Sequence, residues 1–64
     1  MVSAQECLDC IRYLERRIRH GEEFAHENSG NDVGDASARE ALTDRKVLEI
    51  VQEYHALKYG TASA

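Results

Sequence analysis

The sequence predicts an all-α fold, an antiparallel two-helix hairpin that dimerises into a four-helix bundle. Three observations carry this. Residues 45–59, RKVLEIVQEYHALKY, place Val47, Ile50, Val51, Tyr54 and Leu57 on one face of a helix. Residues 4–25 carry a second stripe at spacings of three and four. Between them lies a single turn-rich stretch, NSGNDVGD.

The first helix is expected over about residues 4–26. Ser3 and Glu6 form a capping box, each side chain satisfying the other's backbone amide, with Val2 and Cys7 at the staple positions around it. Ala4, Ile11, Ile18 and Ala25 then share one heptad position, and Cys7, Leu14 and Gly21 share the other. Gly21 weakens a helix by ~1 kcal/mol against Ala. The register continues beyond it to Phe24 and Ala25, which favours one helix over a stop at Gly21.

Residues 28–35 read as the loop, with two Gly, two Asn and two Asp. Ser37 and Glu40 form a second capping box, so the second helix is expected over about residues 37–59. Thr43-Asp44 is a rival start. Gly60 is placed to end the helix, and Lys58 suits the negative pole of its last turn. Residues 61–64 read as a disordered tail. Helices of ~36 and ~33 Å match in length, as an antiparallel hairpin needs.

The dimer follows from the width of the second helix's apolar face. Leu48 and His55 flank the central row, and the arc from Leu57 through Val51 to Leu48 covers roughly 180°. One neighbour covers an arc of ~100°. Val47, Leu48, Ile50, Val51, Tyr54 and Leu57 are therefore the expected dimer interface. At 64 residues, the chain is also of a size that is marginal without a disulfide, a metal or a partner subunit.

Composition narrows the function. Net charge is -4, which disfavours general nucleic-acid binding. No run approaches the ~18 apolar residues of a membrane span, and the N-terminus lacks an apolar signal core. The expected location is cytoplasmic. Cys7 and Cys10 sit three apart with no second such pair and no βαβ pattern. They read as small reduced core thiols, with a zinc or redox pair as the alternative. His55 sits at the rim of the apolar face with no positioned partner for base catalysis, so it reads as a packed interface residue. No phosphate loop, metal cluster or Ser/His/Asp set is present, and the chain is expected to be a non-enzyme without cofactors.

Arg12, Arg16, Arg17 and Arg19 are half of all Lys and Arg and lie within eight residues. With Tyr13 and His20 they form the candidate partner-binding surface, since guanidinium groups clamp carboxylates and phosphates. A solvated face balanced by neighbouring acids is the plainer reading. Residues 42–59 are faintly similar to the second helix of the small helical-hairpin phosphatases that act on sporulation response regulators. Only Gln52 and Glu53 match that motif, and His55 stands where it has an acid. Their activity is not carried over. The expected function is a small dimeric interaction module that binds and modulates a larger protein, by inhibition, in the size class of phage- and bacterium-encoded regulators. The alternative is a nucleic-acid-binding regulator using the arginine face.

Overall fold

The computed structural model describes residues 2–60 and contains two α-helices, α1 (Ala4–Glu27) and α2 (Asp32–Tyr59), packed side by side as a hairpin. The expected tail at 61–64 lies outside the described residues. Ser3 starts α1 as a complete capping box. Its Oγ accepts from the Glu6 amide at 3.1 Å, and its own amide donates to Glu6 Oε1 at 2.9 Å. The helix runs through Gly21 without a break and is closed by Asn28, whose side-chain Nδ2 and backbone amide both donate to the Phe24 carbonyl.

The second helix starts earlier than Ser37. Asn31 is the cap, with its Oδ1 accepting from the Gly34 amide at 2.9 Å. Asp32 and Asp35 fill the first turn, where the helix dipole favours negative charge. Val33, Gly34 and Asp35 are thus helical, and the connection shrinks to residues 28–31, with Gly30 at φ +89° making the reversal. Gly34 packs so closely on the connection that a Cβ there would lie 2.1 Å from the Asn28 carbonyl oxygen. Ser37 is not a cap. Its Oγ donates to the Gly21 carbonyl at 2.9 Å and ties the two helices together.

The contact between the helices follows heptads on both sides. On α1, Cys7, Leu14 and Ile18 are buried, with Ala4, Ile11, Gly21 and Ala25 half-buried between and beyond them. On α2, Gly34 and Ala41 are buried and Ser37, Asp44, Leu48, Val51 and His55 half-buried. This seam narrows toward the loop, where a Cβ built on Gly21 would meet that of Ala41 at 3.7 Å. Toward the open end it widens around Leu14, Ile18, Leu48 and Val51. Tyr59 closes that end by donating from its hydroxyl to the Val2 carbonyl.

Candidate partner-binding surfaces

The six residues expected to form a dimer interface divide into two groups. Leu48 and Val51 belong to the hairpin's own seam and face α1, so they are not free surface. Their spacing from Ala41 and Asp44 continues the inward heptad. The other four form a row one residue back, ~100° round the helix. Val47 is 41% exposed, Ile50 64%, Tyr54 42% and Leu57 88%. Among the described residues the hairpin buries only Cys7, Leu14, Ile18 and Ala41 of its apolar side chains, so more large apolar side chains lie outside than in.

The exposed row is one edge of a broad face shared by both helices. A groove on this face is lined by Tyr13, Arg16, Arg17, His20 and Phe24 from α1 and by Glu40 and Asp44 from α2. Gly21, Ser37 and Ala41 form its floor; their small size leaves the depression. Glu40, Val47 and Tyr54 are seven apart, so the acidic wall of the groove runs directly into the apolar strip. Cys10, Arg17 and Phe24 are likewise seven apart, which puts exposed Cys10 on the same face beside the strip.

The candidate arginine surface also divides. Arg17 turns inward across the groove. Its Nε donates to Asp44 Oδ2 at 2.9 Å, and its Nη2 lies 3.6 Å from Glu40 Oε2. The hydrogen bond from Arg17 to Asp44 raises its pKa above the ordinary arginine value, with the Asp44 charge and then Tyr13 adding to the effect. This guanidinium is an interhelical tie. Tyr13 and His20 line the groove beside it. Arg12 and Arg19 lie outside this groove and Arg16 at its outer rim, and among the described residues none of the three makes an ion pair. They recur at spacings of four and three and form one stripe ~10 Å long. On the opposite flank of the hairpin, Arg45 pairs with Glu22 through its Nε at 3.1 Å and through its Nη2.

Cys7 is buried and Cys10 exposed, and both are free thiols. Among the described residues no group of three His, Cys, Asp or Glu side chains is arranged to hold a metal ion. His55 packs its ring 5.4 Å from that of Tyr59, tilted by 46°. Desolvation pushes the Tyr59 hydroxyl above its ordinary pKa, with Tyr54, Cys7 and Glu6 adding to the effect. Among the described residues no helix is long and apolar enough to cross a membrane.

From the sequence, Ser37 and Glu40 read as a helix cap, Asp44 as a rival helix start and Phe24 as part of the α1 register, and none of the four as a groove residue. Glu40 and Asp44 at i and i+4, with Ser37 and Ala41 on the same side, was the available signal, and their small or charged side chains gave it no hydrophobic weight. No protein-family model matches the chain, and neither does any curated protein or any solved structure.

Proposed function

We propose that this chain is a small protein-interaction module: a hairpin that pairs with a second copy of itself and presents its outer arginine stripe to a larger protein, which it modulates by inhibition. The observation that supports the reading is the exposed row Val47, Ile50, Tyr54 and Leu57 on a hairpin with so little core. Soluble monomers avoid contiguous apolar strips, whereas interaction surfaces are built from them. A second copy covers the row, and the two hairpins form a four-helix bundle. The bundle leaves Arg12 and Arg19 outward, each able to take a carboxylate of the target in bidentate fashion, with Arg16 at the edge of the covered face. The module has no catalytic role in this reading.

The test changes the stripe and leaves the strip intact. Arg12→Glu and Arg19→Glu combined is expected to keep helix content and mass unchanged, because exposed charges contribute little to stability. The target protein captured by the wild-type chain should no longer be retained, and its activity should no longer respond. Retention by the double variant would refute the stripe as the docking surface. If nucleic acid is retained instead, with affinity falling steeply as salt rises, the interaction-module reading gives way to a phosphate-binding one.

A further inference from the structure

The broad face has a charge pattern as well as an apolar one, and the pattern fixes how two copies meet. Along the groove edge of α1 stand Arg17 and His20; along the facing edge of α2 stand Glu40 and Asp44. Apart from Phe24 in the loop half, the apolar residues of the same face lie in the open half, with Cys10 and Tyr13 on α1 and the Val47–Leu57 row on α2. Arg17 lies level with Asp44, and Gly21 lies level with Ala41.

We propose that the second copy docks with its two-fold axis running along the helices, so that α1 of each hairpin lies antiparallel against α2 of the other. This rests on the dimer proposed above. Such an axis preserves level. The open half meets the open half, and Cys10 falls between Ile50 and Tyr54 of the second copy. The loop half meets the loop half, and His20 falls beside the other copy's Glu40. Basic edge therefore faces acidic edge, apolar row faces apolar row, and every adjacent pair of helices is antiparallel, as in an up-down bundle.

The rival two-fold runs across the helices and reverses level. With the hairpins fully overlapped, it sets Ile50 against Glu40 of the second copy and takes a charged group out of water with no new partner. Slid until the apolar rows overlap, it leaves the loop half of each copy, with Phe24 and Glu40, uncovered. Only the lengthwise axis satisfies the face over its whole length.

Cross-linking between two single-site chains tests this. One carries Cys10→Ser and His20→Cys, the other Cys10→Ser and Glu40→Cys; both changes are at polar positions of the loop half. Cys7 stays in place, since it is buried. The chains are mixed, allowed to exchange and treated with a short bis-thiol reagent, with sedimentation run on the same samples. A covalent dimer is expected only in the mixture and is lost when either new cysteine is absent. Sedimenting dimers that give no mixed cross-link, or that cross-link within each chain type alone, overturn the lengthwise axis and leave the dimer standing. A mixture that sediments as monomers at every concentration overturns the dimer and the axis together.

Discussion

Replacing Ile50 by Ala separates the pairing of hairpins from the folding of one hairpin. The change removes about three methylene-sized groups, each worth ~0.8 kcal/mol when buried. Ile50 is 64% exposed in the hairpin, so about two-thirds of that burial is left for an interface. The loss is then ~1.5 kcal/mol per copy. A two-fold interface uses the residue twice, giving ~3 kcal/mol per dimer. At ~1.4 kcal/mol per tenfold, dimer dissociation should rise by ~100-fold. Within one hairpin the cost is small, because Ala is the better helix former and the site is outside the seam. Circular dichroism over a dilution series is the assay. The variant should lose helix at concentrations where the wild type keeps it, and recover it when concentrated, as expected where folding and association are linked. Equal helix content for the two chains at every dilution would refute the reasoning, because Ile50 would then contribute nothing beyond its own hairpin.

Four further outcomes follow from close approaches and caps in the hairpin. Gly34→Ala should destabilise by ~1–3 kcal/mol despite the better helix propensity, since its Cβ meets the Asn28 backbone at 2.1 Å and only a shift of the connection relieves it. Gly21→Ala should do the opposite and raise the melting temperature, gaining up to ~1 kcal/mol, because its Cβ finds only ordinary contacts at 3.7 Å or more. Asn31→Ala should cost ~1 kcal/mol as the loss of a helix cap. Ser37→Ala should cost a similar ~1 kcal/mol through its bond to Gly21, and a double-mutant cycle with Asn31→Ala should then be additive.

The parts of the fold that were legible in the sequence were those where apolar periodicity and capping chemistry agree. The Ser3 box, the α1 heptad through Gly21 and the stop at Gly60 are of this kind. The start of α2 was hidden because its first turn is built from Asp32, Gly34 and Asp35, residues that also make loops. Here the Asn31 cap and the close approach of Gly34 to Asn28 decide for helix. The inward face of α2 was misplaced by one residue for a related reason. Its loop half is Gly34, Ser37, Ala41 and Asp44, which carry little hydrophobic signal, while the strongest apolar row lies beside the seam and outside it. The inward turn of Arg17 depends on Asp44, 27 residues away, and no local pattern announces a pair of that separation.

The proposed dimer depends on a second copy covering the Val47–Leu57 row. Sedimentation equilibrium of the unaltered chain, from high nanomolar to high micromolar concentration, tests it most directly. The mass should rise from the 7.2 kDa of one chain to twice that value and stop there, because a two-fold interface closes on itself. A mass of one chain throughout, with helix content undiminished, would contradict it.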